Sequence, residues 1–122
     1  MLLKKRELSL LLAAVSKLWL ENVEALSEID SRFGDGDHGV TIGKIAGLID
    51  KSLAAWGDAG MKEYLDTLSM AIMGVNGGSA GPLYGTVFEG LAAALTPETD
   101  AINAPLLKKM FIAKCVFVLI SM

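Results

Sequence analysis

From Thr67 to Phe88 the chain carries no charged residue, and the centre of that run is Gly74-Val75-Asn76-Gly77-Gly78-Ser79-Ala80-Gly81-Pro82. Length alone would fit a membrane span. The glycines and the proline argue against it, because they would break a spanning helix and strand its backbone N–H and C=O groups in lipid. The run therefore reads as two buried helical pieces around a turn. A chain of 122 residues has room for one domain with one core to bury them in. Apolar residues make up 52% of the sequence, above the usual range for soluble domains, which points to thoroughly buried helices or to an interface left exposed.

The rest of the chain carries helical spacing too. Leu8, Leu11, Leu12, Val15, Trp19, Val23 and Leu26 recur at steps of three and four, so one helix is expected from Leu8 to about Ile29. A second runs from about His38 to Trp56 on Ile42, Ile45, Leu48, Ile49, Leu53 and Trp56. Gly57-Asp58-Ala59-Gly60 is a turn. Met61, Tyr64, Leu65, Leu68 and Ile72 stripe a third helix. A fourth begins near Pro82, where a missing N–H costs nothing, and shows Tyr84, Val87, Phe88, Leu91 and Leu95 on its apolar face. Thr96-Pro97-Glu98 looks like another cap and helix start, and a last helix is expected over Pro105 to Lys114. No strand-period alternation of useful length occurs. The expected fold is all-α, a single domain over residues 1–122 with 113–122 as an atypical tail.

Between the first two helices lies Ile29-Asp30-Ser31-Arg32-Phe33-Gly34-Asp35-Gly36-Asp37-His38-Gly39. Three carboxylates and the chain's one histidine stand close together there, and Arg32 is the one nearby positive charge. Aspartates brought together repel unless something neutralises them. A divalent cation is the usual remedy, and hard carboxylate oxygens suit Mg²⁺ or Ca²⁺. A calcium EF-hand does not fit: counted from Asp35, position 12 is Ala46, and counted from Asp30, position 3 is Arg32. The competing reading is plain turn chemistry, with Asp37 as the cap of a helix starting at His38.

The second corner, Gly77-Gly78-Ser79-Ala80-Gly81, leads directly into a helix. Such a turn presents backbone N–H groups, and the helix N-terminus adds a partial positive charge, so a phosphate fits there. It is not a P-loop, because no lysine follows the glycines. A tight corner between two helices is the competing reading. Taken together, one corner offers carboxylates for metal and the other offers amides for phosphate, and a Mg²⁺–nucleotide needs both. His38 would hydrogen-bond a phosphate, assist a proton transfer, or serve as a structural helix-start residue.

The formal charge of −3 argues against a nucleic-acid partner, and the one basic cluster is Lys4-Lys5-Arg6. A single cysteine, Cys115, excludes an internal disulfide framework and fits a reducing compartment, so a cytoplasmic location is expected. The apolar run from Leu8 to Val15 superficially imitates a secretory signal, but it continues with amphipathic spacing and lacks a clear cleavage site. No membrane association is expected.

The spaced motif Asp30-x₄-Asp35-Gly36-Asp37-His38-Gly39, followed by Gly77-Gly78-Ser79-Ala80-Gly81-Pro82-Leu83-Tyr84-Gly85-Thr86, resembles the nucleotide-binding L subunit of dihydroxyacetone kinases over roughly residues 8 to 112. The resemblance implies an antiparallel helix bundle or barrel of the L-domain type, with nucleotide at one end. It implies that Asp30, Asp35 and Asp37 hold two Mg²⁺ ions, and that His38, Gly39, Val40, Thr41, Gly77, Gly78, Ser79 and Ala80 contact ADP or ATP. It names no catalytic side chain on this subunit. The implied reaction is phosphoryl transfer to dihydroxyacetone or a similar small ketose held by a separate K subunit. In one branch ADP stays bound and is rephosphorylated by a phosphotransferase-system subunit; in the other, ATP is consumed directly. A homodimer is a further expected assembly.

Two departures qualify the resemblance. Family members often carry a hydroxyl residue where Ala80 stands, and here the hydroxyl is one position earlier, on Ser79. Family members also continue through further helices, whereas this chain ends in the apolar run Val116-Phe117-Val118-Leu119-Ile120-Ser121-Met122. It is therefore expected to be the N-terminal portion of the fold. The alternative is a truncated, inactive homologue that acts only as a folding or interaction partner. A third reading is an ordinary helical interaction module whose aspartates and glycines are only caps and corners.

Overall fold

In the computed structural model, residues 2–32, 38–75 and 80–121 are described, without the side chains of Asp30, His38 and residues 116–121. Among the described residues there are six helices: α1 (Lys5–Glu21), α2 (Val23–Ser31), α3 (His38–Ala54), α4 (Met61–Met73), α5 (Ala80–Ala93) and α6 (Ala104–Ser121). Two short strands, β1 (Leu2–Lys4) and β2 (Ala101–Asn103), pair antiparallel with Leu3 opposite Ile102. The all-α class expected from periodicity holds. The ladder was invisible to that reading because three residues are too few to show a period of two.

The expected single helix from Leu8 to Ile29 is instead two. The backbone N–H of Asn22 donates to Trp19 O at 3.1 Å, and its side-chain Nδ2 donates to Leu18 O at 2.7 Å. An asparagine amide that bonds the backbone locally competes with the helical ladder, and α2 restarts at Val23. Other boundaries also move. α1 starts at Lys5, ahead of Leu8. α5 starts at Ala80, so Pro82 is its third residue, still among the first four N–H positions that lack a helical acceptor. Thr96-Pro97-Glu98 starts no helix: Thr99 N–H donates to Thr96 O at 3.0 Å, closing a turn that leads into β2. The start of the last helix is set at Asn103, whose Oδ1 accepts the Leu106 N–H at 2.9 Å, and α6 runs through residues 113–121 instead of stopping at Lys114.

Ile42, Ile45 and Ile49 of α3 and Leu65, Leu68 and Ile72 of α4, all at most 1% exposed, belong to one core. Each such side chain stabilises the fold by roughly 1.5–3 kcal/mol relative to exposure. Leu8 and Leu12 of α1, Phe88 of α5, Ile102 of β2 and Met110 of α6 complete the same core.

Helix directions follow from cross-links along the bundle. Lys5 Nζ donates to Gly57 O, Ser16 Oγ donates to Ala46 O at 3.1 Å, and Gly43 lies against Val23. α1 and α3 are thus antiparallel. Ser52 Oγ and Tyr64 OH lie 2.6 Å apart where α3 ends and α4 begins, which ties those two helix ends together. Lys62 Nζ reaches Ala92 O at 3.1 Å, while Gly81 lies against Ile72 O, which makes α4 and α5 antiparallel.

Candidate functional site

These directions put four helix termini at one end of the bundle: the end of α2, the start of α3, the end of α4 and the start of α5. The ring contact between Trp19, near the end of α1, and Tyr84, in the second turn of α5, ties that end together at 5.3 Å between centroids. α3 also touches α5 directly. The opposite end holds Lys5, Trp56, Gly57 and Tyr64, with the Trp56 and Tyr64 rings stacked at 3.8 Å. The described helix ends that flank the two corners singled out by sequence therefore share one end of the bundle.

The starts of α3 and α5 point their N-termini toward this end. Neither first turn contains an acidic residue, so no side chain within either helix offsets the partial positive charge there. An anion approaching this end meets two such termini.

Close packing fixes both starts. A Cβ on Gly39 would collide with Val23 O and Ser27 of α2, so only glycine lets the first turn of α3 lie this close to α2. A Cβ on Gly81 would stand 2.7 Å from Val75 O and 3.1 Å from Ile72 O, so the same need holds where α5 meets the end of α4. Sequence reasoning gave Gly39 a ligand contact and did not see its packing role.

The expected site residues divide as follows. His38, Gly39, Val40 and Thr41 form the first turn of α3. Val40 is 53% exposed at this end, whereas Thr41 is buried, and its side chain faces inward rather than toward solvent. Ala80 opens α5 and is buried. Asp30 belongs to the last turn of α2 by its backbone. Asp35, Asp37, Gly77, Gly78 and Ser79 lie outside the described residues, as do the side chains of Asp30 and His38. Arg32, exposed, pairs with Glu28 at 3.6 Å.

Among the described residues no group of three or more His, Cys, Asp or Glu side chains could hold a metal. The donor set of the segment that joins α2 to α3 fits a hard divalent cation in kind, since it consists of carboxylates beside small residues that let a hydrated ion approach. Among the described residues, no helix is long and apolar enough to cross a membrane.

The chain is 34% identical over 79 residues to the ADP-binding subunit DhaL of PEP-dependent dihydroxyacetone kinase 1 from Listeria innocua, covering 65% of this chain and 40% of the relative. It is 37% identical over 80 residues to the ADP-binding subunit DhaL of the PTS-dependent kinase from Lactococcus lactis, covering 66% and 42%. Against the ADP-binding subunit DhaL of the PEP-dependent kinase from Escherichia coli the figures are 31% over 88 residues, 72% and 41%. The matched part thus spans about two-fifths of the length of these curated relatives. A family description, the DAK2 domain, matches residues 32–118, from the end of α2 through most of α6, and so takes in both glycine corners and the helices that carry them. With the greater part of its length inside that match, the chain belongs to the DAK2 domain family.

Proposed function

We propose that this chain binds a Mg²⁺–nucleotide at the end of the bundle where α3 and α5 begin, and serves as the nucleotide-holding part of a dihydroxyacetone kinase. The observation that carries this reading is the convergence of two acid-free helix N-termini on the end from which the aspartate-rich segment departs. In this reading Asp30, Asp35 and Asp37 hold two Mg²⁺ ions. The metal ions screen the phosphates and align them. Amides of Gly39, Val40, Gly77, Gly78, Ser79 and Ala80 orient the phosphate oxygens, and His38 hydrogen-bonds one of them. The buried Thr41 supports the turn from inside.

The nucleotide is ADP, in keeping with the names of the three relatives, or ATP consumed directly. Phosphoryl passes to dihydroxyacetone or a similar small ketose on a separate K subunit. A phosphotransferase-system subunit would recharge a resident ADP. The chain then supplies no nucleophile of its own, and its contribution is position and charge.

Isothermal titration of ADP with Mg²⁺ present tests the binding step. Wild-type chain should bind, Asp35→Ala should weaken binding at least about tenfold, or roughly 1.4 kcal/mol, and chelation of the metal should abolish it. Absence of binding, or equal binding by Asp35→Ala, contradicts the proposal.

A further inference from the structure

Where α3 ends and α4 begins, a cavity of about 280 Å³ is lined by the stacked rings of Trp56 and Tyr64 and by Ser52, Glu63, Thr67 and Leu68. The hydrogen-bond donors around it are already engaged. The Trp56 indole N–H donates to Ala59 O at 2.7 Å. Ser52 Oγ donates to Ile49 O at 2.7 Å and shares a 2.6 Å bond with Tyr64 OH, so both hydroxyl protons serve bonds within the protein. Two lysines of this end are committed as well. Lys62 pairs with Asp66 at 3.6 Å and donates to Ala92 O at 3.1 Å. Lys5 donates to Gly57 O and lies over the Trp56 ring, 5.2 Å from its centroid.

Acceptors remain. Glu63 forms no ion pair among the described residues, and Thr67 stands one turn beyond it on the same face of α4. The Tyr64 oxygen keeps a lone pair, and the Thr67 hydroxyl can accept or donate. The rest of the wall, Ala55, Ala59, Leu68 and Ala71, is apolar. A wall of this kind suits a ligand that brings its own donors and a positive charge.

We propose that this cavity binds a small organic cation, with an ammonium group on the Glu63 carboxylate and an apolar body of one ring against Trp56 and Tyr64. The volume lies just below the ~300 Å³ at which small-molecule sites usually begin, which limits the body to that size. An ammonium on a carboxylate makes a charge-assisted hydrogen bond. A carboxylate ligand would meet the Glu63 charge and find only the Thr67 hydroxyl to bind it. The inference is independent of nucleotide binding, since the cavity is built at the Trp56 end and the starts of α3 and α5 lie at the other. Either reading can fail without the other.

Titration of phenethylamine into the isotope-labelled full chain, followed by nuclear magnetic resonance, tests it. The amides of Glu63, Tyr64 and Thr67 and the indole N–H of Trp56 should shift saturably. Phenethyl alcohol, which has the same ring without the charge, should bind at least about threefold more weakly, and hydrocinnamate should not bind. Glu63→Gln should weaken the amine at least about threefold. Ala71→Leu, which fills the cavity, should block it, and Glu24→Gln on α2 should change nothing. Absence of a saturable shift, equal binding of the alcohol or the acid, or binding that Glu63→Gln leaves unchanged overturns the proposal. Should a cavity variant lose helical circular dichroism, the series of amine, alcohol and acid on the wild-type chain decides.

Discussion

Gly39 and Gly47 both lie on α3, about two turns apart, and should answer alanine in opposite ways. A Cβ at Gly39 collides with Val23 O and Ser27, backbone included, so α3 must shift away from α2. Gly39→Ala should lower stability by about 1–3 kcal/mol, read as a lower urea midpoint. A Cβ at Gly47 meets nothing within 4 Å. Gly47→Ala removes backbone entropy from the unfolded chain and should raise stability by roughly 0.5–1 kcal/mol. Tyr64 offers a test by pH. Burial pushes its phenol above the ordinary 10.0, and the hydrogen bond with the Ser52 hydroxyl opposes part of that shift. The folded state therefore favours the neutral phenol more than the unfolded chain does. This stabilisation is complete below the unfolded value and is lost as pH rises through the raised folded value. Tyr64→Phe should cost about 1 kcal/mol near neutrality, where the 2.6 Å hydrogen bond is lost, and should flatten the fall in stability that the wild type shows above about pH 10.

The helices divide into those whose burial the sequence displays and one whose burial it hides. On α4 the apolar stripe and the core coincide, because Met61, Tyr64, Leu65, Leu68 and Ile72 are all buried. On α5 they coincide only in part. Phe88 and Leu95 of the expected face are buried and Tyr84, Val87 and Leu91 partly so, while Gly81, Gly85, Thr86, Gly90 and Ala92, outside that face, are buried as well. That helix is packed by its small side, where a Cβ on Gly85 would lie 3.1 Å from Ser69 O of α4 and one on Gly90 would lie 2.6 Å from Lys114 Cα of α6. Periodicity scores large apolar residues, so a face made of glycine escapes it. The break at Asn22 escaped for a related reason: its cause is a single side-chain amide, and the apolar stripe runs through it unbroken. Capping was likewise local. Asn103 holds the first turn of α6 through Leu106, and Asn103→Ala should cost about 1 kcal/mol in thermal or urea unfolding.

For the molecule as a whole, the helices on either side of the two motifs were legible, but not that the ends flanking those motifs lie together. That follows from contacts at Ser16–Ala46, Lys62–Ala92 and Trp19–Tyr84, none of which has a sequence signature. A ligand that joins the starts of α3 and α5 binds only the folded chain. Mg²⁺ and ADP together, at a hundred times the dissociation constant, should therefore raise unfolding free energy by about 2.7 kcal/mol, and neither alone should do so. The most direct measurement replaces Mg²⁺ by paramagnetic Mn²⁺ in the presence of ADP and follows amide resonances of the labelled chain. The account predicts broadening of Gly39, Val40, Thr41, Ala80 and Gly81, with Lys5, Trp56 and Tyr64 at the far end left sharp. Broadening that spares the starts of α3 and α5, or that centres on the Trp56 end, would contradict it.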